Sequence, residues 1–371
     1  MQLDQIIIKG YKSISGDDPI TIDLKKLNVI LGANGSGKSN IISFFKLLNF
    51  MMSGSLQTFI ESNGGSQSFL HYGSKITDSI SATLKFSSKR FQDTYTFRLN
   101  YATPDRLIIT SEEVFVNNHD QGDVKHHKLQ TDFRESYLSG KLDDKSLSVI
   151  KKILANCKVY QFHDSSLTAS MRNSCPVEIN NYLQAEANNL AAFLYRIRDE
   201  FPDNYHNIVS YVRLVVPQFH DFLLEPNKYG NIILKWRDTS ATDYFFSPSQ
   251  FSDGSIRFIA LATLLLQPKQ TMPNMIIIDE PELGLHPYAI NQLAEMIKEA
   301  SKQAQIILAT QSPYLIDEFE AQDVLVVESL RVNGRFRTDL KRLKYEDLKD
   351  WLMNYSLSEL WDKNVIGGRP L

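Results

Sequence analysis

The chain has 371 residues, 43% of them hydrophobic and 22% charged, with a formal charge of −3. That length supports a large core with an insertion, and the charge excludes a polycation, so any nucleic-acid contact must come from a local patch. Cys157 and Cys175 have neither metal-ligand spacing nor a disulfide framework, there is no basic-then-apolar leader, and the apolar runs are too short for a bilayer; the expectation is a cytoplasmic protein without a membrane partner.

Ile6–Ile8 and Ile20–Ile22 read as strands around a turn at Gly16-Asp17-Asp18, and Leu27–Leu31 as a buried strand. A glycine-rich loop follows, then a helix from about Ser39 to Met51. Alternating apolar and polar residues from Ser79 to Val116 predict antiparallel strands. Val114–Leu129, with Asn117-Asn118 and Gln121-Gly122, reads as a surface hairpin in which Lys125-His126-His127-Lys128 is a loop without metal. A helical pattern opens at Lys145, a short strand is expected at Val159–Phe162, and helical spacing returns from Asn180 to Val216, ended by Pro217. From residue 250 onward strands and helices alternate. Met275–Ile278 and Gln305–Ala309 have the apolar character of buried parallel strands. Asn333-Gly334 marks a two-residue hairpin turn between Leu325–Val327 and Phe336–Thr338. No internal repeat and no coiled-coil heptad pattern is present.

Three motifs carry chemistry. Gly32-Ala33-Asn34-Gly35-Ser36-Gly37-Lys38-Ser39 fits G-x-x-x-x-G-K-[ST] between a buried strand and a helix. Its glycines let backbone amides and the helix N-terminus face phosphates, Lys38 supplies a point charge to the outer phosphates, and the Ser39 hydroxyl suits Mg²⁺. This is a P-loop, and ATP is the expected nucleotide. In Met275-Ile276-Ile277-Ile278-Asp279-Glu280 two carboxylates stand at the C-terminal end of an apolar strand, where open parallel sheets bind ligands. Asp279 is the candidate Mg²⁺ ligand and Glu280 the candidate base that deprotonates the attacking water. Ser252-Asp253-Gly254-Ser255-Ile256-Arg257 is a small-residue turn opening an apolar helix; alone it is an N-cap, but its place one helix before Asp279-Glu280 makes Ser252, Asp253 and Gly254 candidate phosphate-facing residues.

Together these motifs resemble the ATP-binding-cassette ATPases of the SMC and RecF branch. Residues 32–40, Gly-Ala-Asn-Gly-Ser-Gly-Lys-Ser-Asn, look like their Walker A, which adds Asn40 to the nucleotide set, and Ser252–Arg257 looks like a degenerate signature. Asp279-Glu280-Pro281 looks like Walker B, Gly284-Leu285-His286-Pro287 like the D-loop, and Thr310-Gln311-Ser312-Pro313 like the switch. More closely, the chain resembles bacterial stand-alone AAA-type ATPases related to the overcoming-lysogenization-defect (OLD) ATPases. That resemblance rests on Phe69–Gly73, Tyr160–Asp164 and Gly367-Gly368-Arg369-Pro370. It departs from cassette ATPases at Gln311, where they usually carry His. Gln hydrogen-bonds but moves no proton, which implies slow or gated hydrolysis. The expectation from residues 39–252 and from the 371-residue length is a head without the long coiled-coil arms of SMC proteins or the nuclease domain of OLD proteins.

Weaker candidates complete the set. Lys12, in Tyr11-Lys12-Ser13, stands where the branch places a basic residue near nucleotide; a solvated strand-end lysine fits equally. Gln161 or His163 is the candidate Q-loop residue that senses Mg²⁺, against a buried turn. Arg257 is read as pairing with phosphates or Asp253, or as an exposed helix arginine. The basic run Arg331, Arg335, Arg337, Lys341, Arg342 and Lys344 reads as a solvated hairpin face that also suits phosphate backbones.

The reading is an α/β P-loop NTPase: an ABC-type ATPase head with an antiparallel β subdomain and a helical insertion. The expected segments are 1–130 with Walker A, 131–240 as a mostly helical lobe, and 241–371 with the remaining motifs. The resemblance implies an ATP-driven dimerisation switch in which two heads sandwich ATP, in bacterial defence or DNA metabolism. An effector such as a nuclease, and DNA, are the expected partners. Two other readings stand beside it: a transporter ATPase subunit, disfavoured by Phe251–Ser255 and Gln311, and a non-catalytic scaffold that only senses ATP.

Overall fold

The computed structural model describes residues 1–88, 90–118, 123–129 and 134–369. They form two compact units, Met1–Lys158 with Glu320–Leu371, and Val159–Phe319.

In the first unit β1 (Gln2–Lys9) and β2 (Ile20–Asp23) pair antiparallel with Ile6 opposite Ile22. β3 (Leu27–Leu31) is buried at every position and feeds the glycine-rich loop; α1 (Lys38–Ser53) leaves it, followed by α2 (Leu56–Ser62). β4 (Ser79–Ser87), β5 (Phe91–Ala102), β6 (Arg106–Asn118) and β7 (Asp123–Lys128) extend β1 into an antiparallel sheet ordered β2-β1-β4-β5-β6-β7. Strict alternation in β4 puts Ile80, Ala82, Leu84 and Phe86 on the buried face. Phe44 of α1 stacks on Phe97 of β5 at 6.4 Å, which joins helix to sheet. Lys125–Lys128, expected as a loop, lies in β7. Cross-strand pairing with Glu113–Val116 holds it there, and His126 meets Glu113 at 3.0 Å. Gln121-Gly122 of the expected hairpin lie outside the described residues. α3 (Lys145–Ala155) is capped by the Asp144 carboxylate, and β8 (Cys157–Tyr160) runs across the unit boundary.

The second unit holds β9 (Cys175–Pro176), α4 (Leu190–Glu200), α5 (Pro202–Val215), β10 (Phe219–Leu223), β11 (Asn231–Ile232), β12 (Lys235–Asp238) and β13 (Ala241–Phe246). β10-β12-β13 make a small antiparallel sheet, so strands as well as helices fill the stretch expected to be helical. Helix starts only at Leu190, not at Asn180. The buried Asn189 side chain accepts from Gln184 N and donates to Ile179 O and Tyr182 O, which closes a compact loop in place of helical turns. A second break falls at Phe201, whose α conformation is disfavoured by Pro202. α6 (Asp253–Leu265), β14 (Met275–Asp279), α7 (Pro287–Ser301), β15 (Gln305–Thr310) and α8 (Pro313–Ile316) follow. β14 and β15 are fully buried and parallel, with Asp279 opposite Ala309.

The chain then returns to the first unit with β16 (Val324–Val332), β17 (Arg335–Arg342), α9 (Tyr345–Leu352) and α10 (Leu357–Asp362). β16 runs parallel to β3 and antiparallel to β17. Their turn is Asn333-Gly334, both at positive φ (51° and 80°), as the hairpin signal requires. Among the described residues no helix is long and apolar enough to cross a membrane.

Replacing Asn189 with Ala removes three part-buried hydrogen bonds, two to carbonyls and one from an amide. We expect a loss of about 3 kcal/mol at roughly 1 kcal/mol per bond, measured as a lower urea midpoint in the wild-type and variant proteins.

Candidate active site

The phosphate loop is shaped by its glycines and by a directed hydrogen-bond chain. Gly37, the N-cap of α1, sits at φ 113°, and a Cβ there would run into Thr338 Oγ1. Thr338 Oγ1 donates to the Ser36 carbonyl (3.1 Å), which uses its only proton. Ser13 Oγ therefore donates to Thr338 Oγ1 (2.6 Å) and accepts from Asn40 Nδ2 (2.6 Å). The Asn40 amide is thus engaged in holding the loop. Lys38 is buried, and its ammonium donates to the carbonyls of Gly32 (2.7 Å) and Ala33 (3.1 Å). Ser36 Oγ is buried without a hydrogen-bond partner, Asn34 and Gly35 are exposed, and Ser39 is exposed at the head of α1. With no side-chain cap on α1, its first-turn amides fit an anion such as a polyphosphate. Lys12 has φ 49° and its ammonium lies 5.6 and 5.4 Å from the Tyr11 and Phe69 rings; burial, then Lys46, lowers its pKa. Ser13 and Thr338 were not singled out from sequence; the Tyr11-Lys12-Ser13 motif drew attention to Lys12 alone.

In the second unit, the in-register end of β14 and β15 brings the acidic pair and the switch together. Glu280 N donates to Ala309 O (2.9 Å), and Glu280 itself is held at φ 46°, a costly conformation for a residue with a Cβ. Gln311 Nε2 donates to Glu280 Oε1 at 3.2 Å. Gln161 Nε2 donates to Asp279 Oδ2 at 3.2 Å, and His163 Nε2 donates to the Asp279 carbonyl at 3.0 Å, so both Q-loop candidates reach the same residue. Asp279 is buried, and among the described residues no group of three His, Cys, Asp or Glu side chains gathers around a metal position. The Asp279 carboxylate offers a hard oxygen of the kind Mg²⁺ takes, an ion that retains several waters and needs few protein ligands. Glu282 lies beyond Glu280: Thr310 Oγ1 donates to its Oε1 at 2.5 Å, while its Oε2 is buried without a partner. Burial, then the Glu280 charge, pushes the Glu282 carboxyl up, against hydrogen bonds from Thr310 and backbone amides.

Two buried arginines tie together the loops around the Ser252–Arg257 segment. Arg257 is not an exposed helix residue; the Asp253 charge acts on it, while its hydrogen bonds go elsewhere. It donates to Phe162 O (2.7 Å), His163 O (2.9 Å), Ser165 Oγ (3.1 Å) and Leu283 O. Arg172 donates to Ser165 O (3.0 Å), Phe251 O (3.1 Å), Pro248 O and the Asp253 carboxylate (2.9 Å). Ser252 caps α6 by accepting from Ser255 N, and Gly254 lies under the Gly284 carbonyl, where a Cβ would come within 2.6 Å. Arg172 carries no motif and was invisible to sequence reading. Of the basic run, Arg337 pairs with Asp18, and Arg342 donates to Asn28 Oδ1 (2.6 Å) and to Gln322 O (2.9 Å). These two are committed to structure and are not a free cationic face.

A family model described as "AAA domain, putative AbiEii toxin, Type IV TA system" matches residues 27–317. The energy-coupling factor transporter ATP-binding protein EcfA2 of Ligilactobacillus salivarius (strain UCC118) is 31% identical over 114 residues, 30% of this chain and 36% of that protein. The chain thus spans about a third of the length of this curated relative. A crystal structure of an Smc head bound to the C-winged helix domain of ScpA superposes with a TM-score of 0.59 at 17% identity, over 94% of this chain and 100% of that one. The Smc head with an extended coiled coil, bound to the C-terminal domain of ScpA and derived from Pyrococcus furiosus, gives 0.56 at 15% identity, over 95% and 98%. At these identities the likeness establishes the fold, that of a P-loop ATPase of ABC type.

The raised Glu282 carboxyl has a stability consequence. A carboxyl whose folded pKa lies above its unfolded value contributes stability below the unfolded value and loses it as pH rises through the folded one. Glu282→Gln cannot ionise, so relative to wild type it should gain stability as pH rises from about 4 to 7. Parallel unfolding curves for the two proteins across that range would contradict the assignment.

Proposed function

From the premise that the chain belongs to the AAA-domain family whose model spans residues 27–317, we propose that it binds ATP with Mg²⁺ and hydrolyses it to ADP and phosphate. Amides of the 32–39 loop wrap the phosphates, and Lys38 exchanges loop-carbonyl contacts for outer-phosphate oxygens. Ser39 and Asp279 hold Mg²⁺, with Gln161 beside Asp279; when bound, the ion neutralises phosphate charge. Glu280 takes the proton of the attacking water while Gln311 orients that water. The observation that carries hydrolysis over mere nucleotide storage is the Gln311–Glu280 contact of 3.2 Å, with Glu280 held in a left-handed conformation. Because Gln311 moves no proton, Glu280 is the sole proton acceptor of that pair, and turnover is slow or gated.

We read the chemistry as a dimerisation switch. Ser252, Asp253 and Gly254 act on ATP bound by a second copy, so ATP joins two heads and hydrolysis releases them. The likeness in motifs to OLD and RecF-type ATPases supports a role in bacterial defence or DNA metabolism with an effector such as a nuclease, and DNA as a further partner. A scaffold that senses ATP without turnover is the second reading, favoured by Gln311 alone.

Steady-state phosphate release decides between them. Wild type should turn over. Glu280→Gln should bind MgATP normally with turnover reduced at least about 100-fold, and Lys38→Ala should lose roughly 1.5–3 kcal/mol of MgATP affinity. Wild type that binds but never turns over would leave the scaffold.

Asp253 pairs with buried Arg172, so substituting it would strand a guanidinium; Ser252→Arg is the cleaner probe of the signature, at a cost of about 1 kcal/mol for the lost cap. Its MgATP affinity should stay near wild type while the ATP-dependent dimer disappears from size-exclusion profiles. A variant that still dimerises with ATP and hydrolyses normally would refute action on a second copy.

A further inference from the structure

The residues that follow α10 make a contact that none of these roles uses. The Gly368 carbonyl accepts the amide of Ala33 at 3.0 Å, and the Gly368 amide donates to Glu328 Oε1 at 2.6 Å. Gly367 and Gly368 both adopt left-handed φ, 83° and 81°. A Cβ on Gly368 would stand 2.8 Å from Val326 Cγ1, 3.2 Å from Trp361 Nε1 and 3.7 Å from Gly32 Cα, so its backbone lies directly against the first glycine of the phosphate loop. Trp361 Nε1 is itself buried without an acceptor, which leaves Glu328 as the partner that anchors this turn.

The consequence follows from one peptide plane. In a trans peptide the N–H and C=O point in opposite directions. The amide of Ala33 and the carbonyl of Gly32 belong to the same plane. With the amide tied to Gly368, the carbonyl is directed the other way, where it accepts the Lys38 ammonium at 2.7 Å. Glu328, Gly368, the Gly32–Ala33 peptide and Lys38 thus form one hydrogen-bonded line, in which Glu328 anchors the backbone of Gly368 and the Gly32–Ala33 plane passes that restraint on to Lys38. Glu328 belongs to β16, which pairs with β3, the strand that enters the loop.

We propose that the Gly367–Gly368 turn is a strap that orients the Gly32–Ala33 peptide and so positions Lys38 for the phosphates. Gly367, Gly368 and Glu328 are therefore positioning residues of the nucleotide site. This rests on the reading that the loop binds ATP.

Two measurements on the full chain test it: titration with a fluorescent MgATP analogue, and hydrogen exchange of the amides of residues 32–38. Glu328→Ala removes the anchor from a half-buried strand position and should fold. It should weaken MgATP binding about tenfold and speed exchange at 32–38, with the unfolding transition unchanged. Gly368→Ala should do the same more strongly. If Gly368→Ala fails to fold, Glu328→Ala alone decides. Wild-type affinity together with wild-type exchange in Glu328→Ala would overturn the strap. Exchange needs no nucleotide: a wild-type protein that binds no MgATP while Glu328→Ala still exchanges faster would sink the ATP reading and leave the strap in place.

Discussion

Two guanidinium groups buried among backbone carbonyls set the constraint on which the second unit of this protein depends. A charge withdrawn from water must be repaid in hydrogen bonds, and Arg257 and Arg172 find theirs almost wholly on the main chain of loops. Arg257 joins residues 162–165 to Leu283, next to Gly284, and Arg172 joins residue 165 to the turn ahead of Ser252. Each guanidinium makes four hydrogen bonds, which tie these loops into one arrangement. Gln161 and His163, which flank Phe162 in the segment Arg257 grips, are thereby held against Asp279. Removing either arginine would strip several backbone carbonyls of their donors, at roughly 1–3 kcal/mol for each one left buried and unsatisfied.

The same loops hold Glu280 in a backbone conformation that residues with side chains avoid. Such strain persists only where the surroundings over-determine it. Here the surroundings are the amide bond of Glu280 to Ala309, the Gln311 carboxamide on its side chain, and the buried Thr310–Glu282 pair just beyond. The carboxylate is therefore held in one direction, which is the arrangement that electrostatic preorganisation would ask of it in the proposed role of base.

What the sequence disclosed and what it hid divide along a physical line. The phosphate loop, the Met275–Glu280 strand and the Asn333-Gly334 hairpin are legible because their chemistry is written in contiguous residues: glycine where φ is positive, four apolar residues before two acids, a two-residue turn. The alternation of β4 to β6 was legible for the same reason. The loop at 180–189 was misread as helix because its organiser, Asn189, acts on three backbone groups that periodicity cannot see. His126 and His127 were misread because a strand formed by pairing shows little in its own composition. Arg172, Ser13 and Thr338 carry no local signal; each acquires its meaning from a partner far along the chain, Ser13 and Thr338 from each other.

That last pair has a further meaning. The chain from Asn40 through Ser13 and Thr338 to the Ser36 carbonyl contains an amide, two hydroxyls and a carbonyl, none of which ionises in the range where proteins live. Its strength is accordingly blind to counterions, since screening acts on charges and not on neutral dipoles in contact. A loop whose proposed ligand is a polyphosphate is thus shaped in part by an uncharged frame. Changes of ionic strength will act on such a ligand while this part of the mould stays the same.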